Sequence, residues 1–395
     1  METKSRIDKL SEAIFFMALL IEVLIVIIDK SALINPLEGR LFQFTFVLCM
    51  VKIAMTKHNL KEWLLIVLFL ALGFVSDRIT DRNEIIRFVA FIAASKGIDG
   101  RKALKMVLFT SLIGVLALVV LSLCGVLGKI YLETDFAREV GVERRYCLGL
   151  GHPNALHCMF WALLTLGVYL YLDRLKWWHY AVLMIANLGL FSLTGSRTGV
   201  LVSCIVIVCG IIALVFPKIK SSKALYFLSE LCLLVCVGFS IRVAYYNGFK
   251  QRGQYPVLDW LDSKLTGRLL DSGFSGSVHK WSMFSDCGKK GYIDMGYIKL
   301  YHWYGIIPAT IYIIIIAFMI VRCYKKQDIA ALILIMSFTI YTLVEAHAIS
   351  VYIGRNYLIM LLFGTWSELF KARKGETGYF WQINRYLDLK TLLEK

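Results

Sequence analysis

Apolar runs close to the length that crosses a bilayer as a helix recur along almost the whole chain, separated by short polar connections. Residues 15–28, 41–55, 60–75, 85–95, 106–127, 155–172, 180–193, 200–216, 224–245, 301–321, 329–348 and 352–370 are the candidate spans. They number about twelve, and the fourth is short for a full crossing. The runs are continuous and not alternating, which predicts helices and excludes the short strands of a barrel. The expected fold is an all-α polytopic membrane bundle forming a single transmembrane domain over residues 1–395. The rhythm fails once, at the polar, Gly-rich residues 246–300, which read as one large extracytoplasmic loop. A loop of that length between buried elements is usually functional or disordered.

Composition strengthens this picture. With 58% hydrophobic and 18% charged residues in 395, the chain has more apolar surface than one water-soluble core hides. A formal charge of +16 raises the question of nucleic acid, but the bases fall in small clusters between spans. Lys96, Arg101 and Lys102, then Lys218, Lys220 and Lys223, then Arg322, Lys325 and Lys326 are examples, and membrane orientation accounts for them without a nucleic-acid partner. Most clusters share one side, read as the cytoplasm, which places both termini inside. Residues 371–395 then form a cytoplasmic tail, either solvated or lying on the inner leaflet. Residues 10–28 are too long for a cleavable signal and lack a small-residue cleavage site, so a retained anchor is expected. Eight cysteines sit in or at the ends of apolar runs, where cysteine behaves as a small hydrophobe. Cys147 and Cys287 both fall on the oxidising side, and their spacing leaves open whether they pair.

Basic residues on the outer side run against the orientation rule and need a reason. Arg197, in Thr194-Gly195-Ser196-Arg197-Thr198-Gly199, lies between two apolar runs where a guanidinium needs an anion or water. Snorkelling to lipid headgroups is the ordinary alternative. Arg268 lies in Leu265-Thr266-Gly267-Arg268-Leu269, and Arg144 and Arg145 precede Gly149-Leu150-Gly151-His152-Pro153-Asn154 on the same face. In that motif Asn154 is a candidate helix cap. Guanidinium forks converging from separate segments suit a pyrophosphate, which accepts paired hydrogen bonds. Ser196, His152, Asn154 and His279 are further candidate contacts, and Asp294 is the first candidate for a general base, ahead of His152 and His279. Glu345 is costly in lipid and is expected in a polar network with His347 or Arg355.

With Phe91-Ile92-Ala93-Ala94-Ser95-Lys96-Gly97-Ile98-Asp99 and residues 294–305 added to these motifs, the chain resembles the bacterial Wzy-type polysaccharide polymerases of the O-antigen polymerase and ligase superfamily. Each piece is short, and their order and spacing over most of the chain carry the resemblance. It implies a GT-C-like glycosyltransferase that needs no metal or other cofactor and works on undecaprenyl-pyrophosphate-linked glycan as both donor and acceptor. It also implies work beside the flippase and chain-length regulator of capsule, exopolysaccharide or O-antigen biosynthesis in the bacterial cytoplasmic membrane. Arg197 and Arg268 would hold the pyrophosphate, and Asp294 stands where the related ligases carry a histidine. A flippase or exporter for the same lipids, and a ligase, are the competing readings. The absence of a visible internal repeat counts against the first and the missing histidine against the second.

Overall fold

The computed structural model describes residues 6–136, 141–245, 253–265, 267–269, 281–285 and 293–365. His279, Cys287, the tail 371–395 and much of the 246–300 loop lie outside the described residues. The chain is mostly helical: α1 Arg6–Lys30, α2 Glu38–Ala54, α3 Leu60–Thr80, α4 Glu84–Ala94 and α5 Gly100–Leu123 come first. After a hairpin of β1 Tyr131–Asp135 and β2 Val142–Tyr146 follow α6 Pro153–Tyr171, α7 Trp177–Thr194, α8 Arg197–Val215 and α9 Lys223–Ala244. The remainder comprises α10 Pro256–Lys264, α11 Gly296–Tyr304, α12 Ile306–Lys326, α13 Ile329–Val344 and α14 Tyr357–Met360.

Among the described residues, seven helices are long and apolar enough to cross a membrane: α1, α3, α5, α6, α8, α9 and α12. Their outer faces stay apolar. Leu64, Val67 and Leu68 on α3, Ile113 and Leu116 on α5, and Phe227, Leu228 and Leu234 on α9 are all exposed. A helix whose backbone is internally hydrogen-bonded and whose outer face is apolar is matched to hydrocarbon, so the molecule is a polytopic helical membrane protein. The main interior cluster buries Phe15, Phe91, Trp161, Phe338 and Tyr297, and two smaller ones form around Met295 and Ile298 and around Leu150 and Leu156.

Three departures from the expected pattern have local causes. The fold is not purely α, because Tyr131–Asp135 pairs antiparallel with Val142–Tyr146 and Leu132 stands opposite Arg145. The apolar run 301–321 is not one helix. Gly305, at φ +87°, breaks it, and Phe284 lies so close that a Cβ at 305 would approach its Cα to 2.6 Å. The end of the polar stretch therefore folds as α11, buried along almost its whole length. The run 352–370 forms, within its described part, a 3-10 turn at Ile353–Arg355 and the single turn of α14.

That broken segment is held by a buried ion pair. Arg87 on α4 donates to both oxygens of Glu22 on α1, at 3.3 and 3.2 Å, and to the Val351 carbonyl at 3.0 Å. Thr45 on α2 donates to the same carboxylate at 2.7 Å. Glu22 is 0% and Arg87 4% exposed, so neither charge is tolerable without the other. The pair fixes α1, α2 and α4 to the segment after α13, which forms one wall of the site.

Candidate functional site

Helix direction alternates through the bundle, so α1, α7 and α13 finish at the end where α6 and α8 begin. That end encloses a cavity of about 1110 Å3. Arg145, His152, Asn154, Ser196, Arg197, Arg268 and Asp294 all line it, so seven of the residues singled out from the sequence come together in space. Arg144 does not.

The hairpin explains why the two adjacent arginines part company. Successive strand residues point to opposite faces. Arg145 turns inward, buried, with its guanidinium paired to Glu143 through Nε at 2.7 Å and again through Nη2. Its Cζ lies 4.0 Å from the Phe136 ring centre. Arg144 turns outward, more than half exposed, and pairs with Glu133 at 2.6 Å beside Tyr131. It is a surface contact of the hairpin and not part of the cavity.

Two helix N-termini open into the same space. At α6 the cap is His152, not Asn154: its Nδ1 accepts the Asn154 N–H at 3.1 Å, and Pro153 at the first helical position has no N–H to satisfy. Burial, reinforced by Arg145 and opposed by Asp294, pushes His152 below the usual histidine range, so it stays neutral and keeps its capping lone pair. At α8 the preceding helix is stopped by Gly195 in the left-handed region, φ +62°. The Arg145 side chain lies across it, and a Cβ there would be 3.2 Å from Nε. Ser196 then caps α8 without a side-chain bond, and Arg197 is its first residue, exposed and without an ion pair among the described residues. The unsatisfied N–H groups and macrodipole of each helix add partial positive charge where Arg197 stands.

Arg268 has a different setting from that expected. It donates to Glu345 at 2.6 Å and to the Val344 carbonyl at 3.0 Å, and its Nε is 3.4 Å from Asp294. Burial works against its charge, but Glu345 and Asp294 outweigh that and hold it firmly protonated. The expected partners of Glu345, His347 and Arg355, are thus replaced by Arg268. Burial also raises the Glu345 carboxyl above the usual range; Arg268 counters this and Asp294 adds to it. Asp294 is the most exposed of the three, at 32% for the side chain, and is the carboxylate that a molecule in the cavity meets.

One part of the lining was not among the candidate ligand contacts. Lys299 on α11, Trp303, and Arg355 from the 3-10 turn face the same cavity, with Lys30 and His347. His347 is buried, with Nδ1 2.9 Å from Cys158 Sγ, under the stacked pair Trp161–Tyr341. Arg355 and His347 were expected only as partners of Glu345, and neither they nor Lys299 was expected to face a ligand, because a base at the edge of an apolar run reads as a span terminus. Cys147 is buried and unpaired, with its thiol donating to the Lys129 carbonyl at 3.2 Å. Among the described residues no group of three His, Cys, Asp or Glu side chains gathers as metal ligands.

Comparison with protein-family models, with curated proteins and with solved structures finds no match for this chain.

Proposed function

We propose that the protein is a polysaccharide polymerase of the GT-C kind, acting on lipid-pyrophosphate-linked repeat units at the outer face of the bacterial cytoplasmic membrane. The observation that carries this reading is the cavity itself. Seven basic side chains line it against four acidic ones, and two helix N-termini open into it. Such a site favours a polyanion. Its mouth lies at the bundle end away from Lys96, Arg101, Lys102, Arg322, Lys325 and Lys326, the end the orientation rule assigns to the cytoplasm.

In this reading Arg197 and the first turns of α6 and α8 hold the diphosphate of the donor. The acceptor hydroxyl oxygen attacks the donor's anomeric carbon and the bond from that carbon to the phosphate oxygen breaks. The electron pair leaves on the diphosphate and the hydroxyl proton passes to Asp294. Charge growing on the leaving group meets donors already in place, worth several kcal/mol in a site poor in water. Arg268 acts as a positioning residue, fixing Asp294 and Glu345 relative to each other, and not as part of the phosphate grip.

The test is the lipid-linked glycan pool of cells lacking the protein, followed by complementation. Single repeat units stranded on the outer leaflet are expected, with long chains restored by the wild-type gene, reduced by Arg197→Lys and abolished by Arg197→Ala at equal expression. Units stranded on the inner leaflet would indicate a flippase, and long unattached chains a ligase; either outcome overturns the reading.

A further inference from the structure

A second hollow lies on the lipid-facing side of the bundle, behind one wall of the cavity. Helix α4 packs against both α2 and α3, so that it forms the floor of a groove and the two longer helices form its sides. Gly73 lets α3 come close to that floor: a Cβ there would be 2.9 Å from Ile86 Cγ1. The groove has a volume of about 730 Å3 and is lined by Phe42, Phe46 and Val47 from α2 and by Val67, Ala71 and Phe74 from α3. Val47, Val67 and Phe74 are at least half exposed, so the open side meets hydrocarbon. At 1.5 Å per residue, Phe42 and Val47 stand about 6 and 14 Å from the first residue of α2, and Phe74 and Val67 about 9 and 20 Å from the last residue of α3. Both of those helix ends lie beside the cavity: Glu38 is 3.4 Å from the Tyr352 hydroxyl, and Arg82, just past α3, lies over the Trp303 ring. The groove therefore occupies the outer half of a hydrocarbon core about 30 Å thick.

Groove and cavity share a wall one side chain thick. Arg87, in the floor of the groove, lies 3.5 Å from the centre of the Phe42 ring and donates to the Val351 carbonyl, and the Phe42 and Tyr352 ring centres are 6.0 Å apart. Val351 and Tyr352 line the cavity. We propose that the groove seats the polyprenyl chain of the lipid carrier whose diphosphate lies in that cavity. The assignment deepens the proposed function and rests on it for the identity of the carrier. An amphiphile held by its charged head at the outer end of the bundle has to pass its chain into the outer leaflet, and the groove begins on the other side of the residues that bound the head. Among the described residues that line it, Arg87 is the one charged side chain, and Glu22 already neutralises it, so the groove suits a chain and offers no grip to a phospholipid headgroup. Lipid tails are as apolar as the groove, which leaves packing to decide what stays there. The walls are fixed, because Glu22 ties Arg87 of the floor to Thr45 of α2. A methyl-branched chain stiffened by double bonds loses less freedom in such a channel than a saturated acyl chain does, and the three phenylalanine rings offer it broad faces.

The test is photolabelling of the full-length protein in lipid nanodiscs, with cross-linked residues read by mass spectrometry. One probe is a polyprenyl diphosphate carrying a diazirine in its chain, and the other a phosphatidylglycerol carrying the same group in an acyl chain. The polyprenyl probe is expected to label residues 42–47 and 67–74 several-fold more than the phospholipid does, and unlabelled polyprenyl diphosphate should compete. Ala71→Trp fills the channel and should lower that labelling several-fold, whereas Val120→Trp, on the exposed face of α5, should leave it unchanged. Thermal unfolding shows whether Ala71→Trp is folded, and Ala71→Leu, a smaller filling, should give a smaller loss where the tryptophan is not tolerated. Equal labelling by the two probes, polyprenyl labelling confined to other helices, or labelling that is unchanged in both folded Ala71 variants overturns the assignment. The glycan pool separates this result from the reading beneath it: groove labelling in a protein whose loss strands repeat units on the inner leaflet keeps the chain site and removes the polymerase, and outer-leaflet stranding without groove labelling does the reverse.

Discussion

Replacing Arg268 by Gln separates a residue that grips substrate from one that holds the site together. The substitution removes the bonds to Glu345 at 2.6 Å and Val344 at 3.0 Å and the contact with Asp294 at 3.4 Å. Breaking a buried ion pair costs about 3–5 kcal/mol because the surviving charge is left without a counterion. The side chains here are 13% and 18% exposed, so some water reaches the pair and the lower end, about 3 kcal/mol, is the expected cost. Glu345→Gln should cost less, about 1–2 kcal/mol, since Arg268 keeps Asp294 as a counterion. The double variant should be more stable than the sum of the singles by about 1–3 kcal/mol, as expected for two groups in direct contact. Thermal unfolding of the four proteins in nanodiscs, followed by intrinsic fluorescence, measures the cycle, and glycan length in complemented cells measures function. If the singles add without coupling, or if Arg268→Gln unfolds like the wild type while long glycan disappears, Arg268 touches the substrate directly and its role as a positioning residue is wrong.

Other outcomes follow from the same geometry. Arg144→Ala should leave glycan length and the unfolding midpoint unchanged, because the side chain is exposed and its pair with Glu133 lies outside the cavity; complementation and thermal unfolding check this. Gly199→Ala places a methyl 2.6 Å from His157 Cδ2, against a ring held by Thr194 and Asn187, and should cost about 1–3 kcal/mol in thermal unfolding with loss of long chains at reduced expression. Lys299 binds its proton less tightly folded, at about 7, than unfolded, at the ordinary 10.5. Between those values the unfolded state holds more protons, so stability gained from this group rises with pH, by up to about 1.4 kcal/mol per unit, and is absent below the lower value. Lys299→Met should flatten that rise in a pH series of unfolding midpoints.

How far the chain could be read beforehand depended on whether a residue's meaning was local. The bundle was legible because a span announces itself within twenty residues, and Arg197 was legible because a base at the outer end of an apolar run conflicts with the orientation rule in plain sight. Long-range pairing was not. Arg268 and Glu345 are separated by 77 positions, and no periodicity connects them, so the carboxylate that engages the loop arginine most closely was not legible. That Lys299 and Arg355 face the cavity was not legible for a different reason. Their runs look like span ends until Gly305 breaks one helix and the 3-10 turn at Ile353–Arg355 breaks the next, which turns two apparent snorkelling residues toward the protein interior. The pair Arg144–Arg145 shows the limit most clearly. Read as a loop, the connection lets both guanidiniums reach one ligand; paired with β1 as a strand, it admits only one, because neighbours on a strand cannot share a face. The number of cations available to an anion in this cavity was therefore fixed by backbone conformation at three short breaks and one hairpin, features that carry almost no hydropathy signal, and not by the count of arginines on the outer side.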